Sequence, residues 1–280
     1  MPTTDAVLRR GLEVHGAERI LTLDPAFQGL PDTAHGGSVL AAFRLLAEAW
    51  PAAELRGVYR KRVPLGVPLR LVADRADDAT LACSLLDAAD TPLVEGAVRR
   101  GASSSPKNGS PRHGAEGDPL PVSATCFACG IDNPLGLGVR LNCDDDSVWG
   151  LWPARERFCT ADRTLAPVAL TTLLDEAAFW LGALASGESG MTTDLAIRLR
   201  MSVPFGTAIT VGGRRDSVRP RPEDPRYLDT TVTAWDQHGQ VVADASITFV
   251  AVRGAARRLA AWLLQVNPPQ IVRRVFPAYA

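Results

Sequence analysis

Apolar residues recur at helical spacing in two stretches of the chain, GGSVLAAFRLLAEAW following His35 and PVALTTLLDEAAFWLGAL following Ala166. Repeats at i, i+3 and i+4 predict a helix with a buried face in each. Pro167 suits a first helical position, where its missing N–H would have no partner anyway. A phenylalanine stands eight residues ahead of each start, Phe27 before His35 and Phe158 before Ala166. Strand-like segments follow each helix, LRGVYRKRVPLG in the first half and DLAIRLRMSVPFG in the second. They share the turn Val63-Pro64-Leu65-Gly66 and Val203-Pro204-Phe205-Gly206. Farther on, LLDAADTPLVEGAVRR and AWDQHGQVVADASITFVAV each read as strand, turn and strand, setting Asp87 opposite Asp236 and Glu95 opposite Asp244.

The same order of elements twice over predicts an internal repeat of two α+β units. A helix of about 15 residues followed by several antiparallel strands buries its apolar stripe only if the sheet wraps around it. The second helix is apolar on most sides, so it needs a partner beyond its own sheet. The other half is the expected partner, giving an intramolecular pseudo-dimer. Between Gly101 and Pro121 the run GASSSPKNGSPRHGAEGDPLP has the Gly, Ser and Pro content of a flexible linker. The expected organisation is an N-terminal unit over 1–100, a linker over 101–121, a C-terminal unit over 122–253, and a helix with a tail over 254–280. In that last segment AARRLAAWLLQV reads as an amphipathic helix that docks onto the fold or forms a dimer contact.

Composition narrows the function classes. With 46% hydrophobic and 22% charged residues in a chain of 280, disorder and fibrous architectures are poor fits. Thirty basic against 31 acidic residues leave a net charge of −1, without the footprint of a dedicated nucleic-acid binder. No uninterrupted apolar run approaches the ~18–20 residues of a membrane span, and MPTTDAVLRRGLEV lacks a signal-peptide pattern. The expectation is a cytoplasmic protein without nucleic-acid or membrane partners. Five cysteines, an odd number, do not suggest a disulfide scaffold. Cys126 and Cys129 form one CxxC, but no second pair stands at zinc-site spacing, and Cys143 and Cys159 are scattered. A packed turn without metal is expected.

The helix starts carry the candidate chemistry. His35-Gly36-Gly37 opens the first helix, where unpaired N–H groups and the positive dipole end suit a carbonyl oxygen that gains charge during acyl transfer; an ordinary tight loop reads the same way. Asp175 lies inside the second, apolar helix, where a carboxylate is costly to bury unless partnered or wet. Glu176, one step round, is expected to be the solvated member of the pair. Aligning the helix starts sets His35-Gly36-Gly37 against Ala166-Pro167-Val168, and Asp175 against Arg44. One half has the donor loop without the acid, the other the acid without the loop. Within one helix, nine residues would hold the two parts ~13 Å apart. Packed antiparallel about a pseudo-twofold axis, the start of one helix meets the middle of the other, leaving one composite site and one dead counterpart.

On three motifs the chain resembles a known group. Phe27-x-Gly29-x-Pro31-Asp32-x-x-His35-Gly36-Gly37 is similar to the F-x-G-x-P-G-x-x-H-G-G loop of PaaI-like acyl-CoA thioesterases, with Asp32 in place of the usual glycine. Cys126-Phe127-Ala128-Cys129-Gly130, with Asn133-Pro134 and Gly136-Leu137, resembles the C-F-x-C-G-x-x-N-P-x-G-L opening of the same group. Leu173-Leu174-Asp175-Glu176-Ala177 is similar to its L-L-D-E-A helix segment, and the resemblance covers residues 15–100 and 124–253. It implies a tandem (double) hotdog, each unit a long helix wrapped by an antiparallel sheet, with the site between the units. It further implies that the Gly36 N–H polarises a thioester carbonyl, that His35 shapes the loop, and that Asp175 activates water or attacks directly. Thr192 would help hold the water, and Gln28 would donate a second bond to the oxyanion. Gly37 joins the substrate contacts. Arg198 and Arg200, with Arg214, Arg215, Arg219 and Arg221, are candidates for the phosphates of coenzyme A or a phosphopantetheine arm.

The leading expectation is a hydrolase of acyl-CoA or acyl carrier protein thioesters, a cofactor-free enzyme in which coenzyme A enters only as part of the substrate. A homodimer of pseudo-dimers is compatible with it. A non-catalytic acyl-thioester-binding protein is one alternative. A hotdog hydratase or dehydratase, with His35 and Asp175 as its dyad, is the other.

Overall fold

The computed structural model describes residues 2–16, 18–48, 50, 52–101 and 117–279. The first half contains α1 (Thr4–Arg10), β1 (Leu12–His15), β2 (Glu18–Leu21), α2 (Gly36–Leu45), β3 (Ala53–Tyr59), β4 (Leu69–Asp77), β5 (Thr80–Leu86) and β6 (Pro92–Arg100). The second contains β7 (Asp118–Pro119), β8 (Asn142–Cys143), β9 (Ser147–Pro153), α3 (Pro167–Ser186), β10 (Gly190–Leu199), β11 (Ala208–Arg214), β12 (Arg219–Pro220), β13 (Tyr227–Trp235) and β14 (Val241–Ala251). The helices α4 (Ala255–Leu263) and α5 (Pro269–Val275) follow.

The strands form one antiparallel sheet in the order β1-β2-β4-β5-β6-β3-β10-β14-β13-β11-β9-β8-β7, with β12 beside β13. Read outward from the β3–β10 seam, β6-β5-β4-β2 on one side mirrors β14-β13-β11-β9 on the other. At the seam Leu55 lies opposite Ile197 and Ala53 opposite Leu199, all four buried, so the two halves share one core. Helix α2 packs on β3 and β6, helix α3 on β9, β10, β11, β13 and β14, and the two helices pack on each other.

The repeat extends to individual hydrogen bonds. His35 N–H donates to the Phe27 carbonyl and Ala166 N–H to that of Phe158, both at 2.8 Å. Both phenylalanines are fully buried, so each anchors the loop that delivers its helix. Asp32 has φ 56° and its counterpart Arg163 φ 61°. The left-handed turn is what a glycine would ease, and aspartate is among the residues that tolerate it. Asp87 and Asp236 each close a hairpin by accepting two backbone N–H groups.

Two expectations are corrected. Helix α2 has 10 residues rather than about 15, because Arg44 turns back onto the carbonyls of Ala47 and Trp50. Of the linker span, residues 102–116 lie outside the described residues, but Asp118–Pro119 pairs with β8 and Leu120 is buried. Helix α3 is long and apolar enough to cross a membrane by length and composition; 83% of its apolar window is buried inside the fold. The C-terminal segment packs on the fold, with Ala256, Leu259, Ala260 and Leu263 of α4 and Val272 and Phe276 beyond it buried.

Candidate active site

Helix α2 starts beside the middle of α3, which brings the two halves of the composite site together. Gly37 N–H donates to Asp175 Oδ2 at 3.0 Å, and His35 Nδ1 lies 3.1 Å from the same oxygen. Thr192, at a bulge in β10, donates its hydroxyl to Asp175 Oδ1 at 2.7 Å. The carboxylate is thus buried but held by three donors, which offsets a desolvation cost that would otherwise be several kcal/mol.

The crossing is close enough to require glycine. A Cβ on Gly37 would sit 2.5 Å from the Thr171 carbonyl oxygen, and one on Gly36 would sit 2.8 Å from Asp175 Oδ2. Thr171 Oγ1 completes the contact by donating to the Gly37 carbonyl at 2.7 Å. The Gly36 N–H, at the first helical position, donates to no acceptor among the described residues. Its carbonyl accepts from the Tyr59 hydroxyl at 2.6 Å.

His35 stands between two carboxylates, with Nε2 3.5 Å from Glu176 Oε2. Burial pulls the imidazole toward neutrality, but the bonds to Asp175 and Glu176 outweigh it and hold its pKa well above the ordinary histidine value. Burial pushes the Asp175 carboxyl up, and His35, Thr192 and the Gly37 N–H bring it below the ordinary value. Glu176 corrects the expectation of a solvated side chain: it is 6% exposed, and its Oε1 accepts from Trp180 Nε1 at 3.0 Å.

These groups open onto a cavity of about 130 Å³. His35, Gly36, Tyr59, Asp175, Glu176 and Thr192 form its polar wall, and Leu30, Phe179, Trp180, Met191, Leu259 and Trp262 its apolar one. Arg60, Lys61 and Arg62 line it as well, all exposed.

Four sequence-predicted contacts lie elsewhere. Gln28 donates its amide to Thr125 Oγ1 at 2.6 Å, outside the cavity lining, so it is not aimed at an oxyanion. Gly37 is buried under α3, its N–H already given to Asp175. Arg198 and Arg200 both bind Asp244, at 2.9 and 2.5 Å, away from the cavity. Arg60 is the repeat counterpart of Arg200 and pairs in the same way with Glu95. Lys61 and Arg62 line the cavity beside it. The sequence reading did not place Tyr59, Glu176, Cys126 or the α4 side chains at the cavity. A signal for Tyr59 was its aromatic ring where the second half has Leu199.

The sequence matches no protein-family profile and no curated protein. Solved structures do match. A presumptive thioesterase II from Thermobifida fusca YX superposes with a TM-score of 0.62 at 15% identity, over 90% of this chain and 100% of that one. A protein of unknown function with a hot dog fold from Alicyclobacillus acidocaldarius superposes at 0.57 and 11% identity, over 90% and 99%. The fold is a double hotdog. A monomeric dehydratase domain of a trans-AT polyketide synthase split module also shares it, at 0.57 and 10% identity over 85% and 100%. The double hotdog therefore carries both chemistries among its neighbours, and the site must choose between them.

Proposed function

We propose that the protein hydrolyses acyl thioesters at the single site between its two hotdog units. The carrying observation is the convergence of the Asp175 carboxylate and the unpaired Gly36 N–H on one cavity with an apolar wall and a basic edge. In this reading the acyl chain lies against Phe179, Met191 and Trp262, and the thioester carbonyl oxygen accepts from the Gly36 N–H. Asp175 takes a proton from water as that water attacks the carbonyl carbon. The tetrahedral intermediate collapses with cleavage of the carbon–sulfur bond, and the thiolate leaves as a thiol with the proton Asp175 held. Lys61 and Arg62 lie where a phosphate-bearing carrier, coenzyme A or a phosphopantetheine arm, would enter. The PaaI-like group remains the motif-level counterpart of this reading.

A dehydratase needs an imidazole nitrogen free to remove a proton from carbon. Both ring nitrogens of His35 face carboxylates, which favours hydrolysis over that alternative. The deciding assay is thiol release from a panel of acyl-CoAs by wild type and Asp175→Asn, alongside enoyl-CoA absorbance. Equal release by both proteins overturns the hydrolase; binding without turnover favours the acyl-thioester-binding alternative.

A further inference from the structure

We infer that His35, Cys126 and Glu176 form a binding site for one zinc-class divalent ion at the wall of the cavity. The inference stands on the geometry of these side chains and is independent of the hydrolase reading. One ligand atom from each, an imidazole nitrogen, the Sγ and a carboxylate oxygen, lies within 4.8 Å of the other two. All three residues are 5–6% exposed, and all three line the cavity. They come from three separate places, the start of α2, the 123–130 turn and the middle of α3, so the fold and not a local motif assembles them.

The spacing of the charged pair already suits a shared cation. His35 Nε2 and Glu176 Oε2 form an ion pair at 3.5 Å, so a metal ion can replace the proton between them with little movement of either side chain. Nitrogen and oxygen ligands on one tetrahedral zinc, each about 2.0–2.2 Å from it, stand ~3.3–3.5 Å apart. The donor set of thiolate, imidazole and carboxylate suits zinc and not the hard cations.

Each ligand is also held by its other atoms, as metal ligands are. The opposite nitrogen of His35 faces Asp175, which orients the ring so that Nε2 points toward Glu176. Trp180 Nε1 holds Glu176 Oε1 and turns Oε2 toward His35. The Ala128 N–H donates to Cys126 Sγ at 3.3 Å, and Ser123 Oγ accepts from the Cys126 N–H at 2.8 Å. Three protein ligands leave a fourth position, which a water would fill to complete the tetrahedron. Binding displaces the Nε2 proton of His35 and the thiol proton of Cys126. Of the CxxC pair only Cys126 joins this set, its partners being His35 and Glu176 and not a second cysteine pair.

The test is metal content and cobalt spectroscopy on the untagged full chain. Protein purified without chelator should carry about one zinc per chain. Metal-stripped protein titrated with cobalt(II) should develop a thiolate-to-cobalt band and tetrahedral d–d bands that saturate near one equivalent. Cys126→Ser and Glu176→Gln should each lower metal affinity about tenfold or more. Cys159→Ser, which removes a buried thiol bonded to the Arg155 carbonyl, should leave it unchanged. Circular dichroism identifies the variants that fold, and the wild-type cobalt titration stands without them. Absence of cobalt uptake by wild type, uptake without a thiolate band, or the same band in folded Cys126→Ser overturns the proposal.

Discussion

Asp175 and Arg44 occupy matching positions on the two central helices and do opposite work. Asp175 reaches across to the start of α2, whereas Arg44 turns back along its own chain to the Ala47 and Trp50 carbonyls. In the hydrolase proposed above, replacing Asp175 with Asn keeps the shape and removes the base, so kcat for thioester hydrolysis should fall by about 10²–10⁴ with the fold retained. Arg44→Ala should leave kcat nearly unchanged and cost about 1–3 kcal/mol of stability, because two carbonyls lose a charged donor. Steady-state kinetics and denaturant unfolding on both variants separate the two effects.

Thr192 donates to the oxygen of Asp175 that the Gly37 N–H does not bind. Thr192→Val removes this bond without changing volume much, and should lower kcat about tenfold, equivalent to ~1.4 kcal/mol, with little change in KM. Thr192→Ser restores the hydroxyl and should restore most of the rate. A valine variant with wild-type kcat would leave Thr192 without a part in holding the carboxylate.

The helix crossing admits no side chain at Gly37. Gly37→Ala must push α2 away from the Thr171 backbone, a displacement expected to cost about 1–3 kcal/mol, read as a lower denaturation midpoint at unchanged slope. Alanine at Gly206, where φ is 88° but no atom lies within 4 Å, is strained for a different reason, the backbone conformation alone.

Of the three exposed cations that line the cavity, Arg60 is paired with Glu95, which leaves Lys61 and Arg62 as the candidates to meet a phosphate. Replacing both with Ala should raise KM for acyl-CoA several-fold, with a smaller effect on an acyl-N-acetylcysteamine thioester that lacks phosphates, and the difference should shrink as salt is added. Equal changes for both substrates would remove phosphate recognition from these residues.

The repeat was legible because helical periodicity, the anchoring phenylalanines and the Val-Pro turns are local patterns that survive in each half. The pairing of Asp175 with the His35 loop was legible too, because one half held what the other lacked. The arginines were not. Arg198 stands opposite Asp244 through the pairing of β10 with β14, and cross-strand register decides whether such a side chain is free to meet a ligand. Helix α2 ends early through the back-bonding of Arg44, which no periodicity records. Cys126 and Glu176 are 50 residues apart in sequence and meet only because the 123–130 turn docks on the first half, where the Phe127 N–H donates to the Gln28 carbonyl at 2.6 Å.

Glu188 ties the C-terminal segment to the end of α3. Burial pushes its carboxyl up, but the Tyr279 hydroxyl and the N–H groups of Gly254 and Ala256 outweigh this, with a smaller pull from Arg253, and the folded pKa lies below the ordinary 4.5. A carboxyl whose pKa is depressed by folding stabilises the folded arrangement fully above its unfolded value and loses that contribution as pH falls through the folded one. Acidification below about 4.5 should therefore loosen α4, which supplies Leu259, Trp262 and Leu263 to the cavity wall. Hydrogen exchange of peptides over 255–279, corrected for intrinsic rates, should show protection falling in that window while the β3–β10 seam stays protected. Glu188→Gln cannot ionise, so its α4 should be less protected at neutral pH and should lose the acid step. If wild type and variant titrate alike, other carboxylates hold the segment and Glu188 does not.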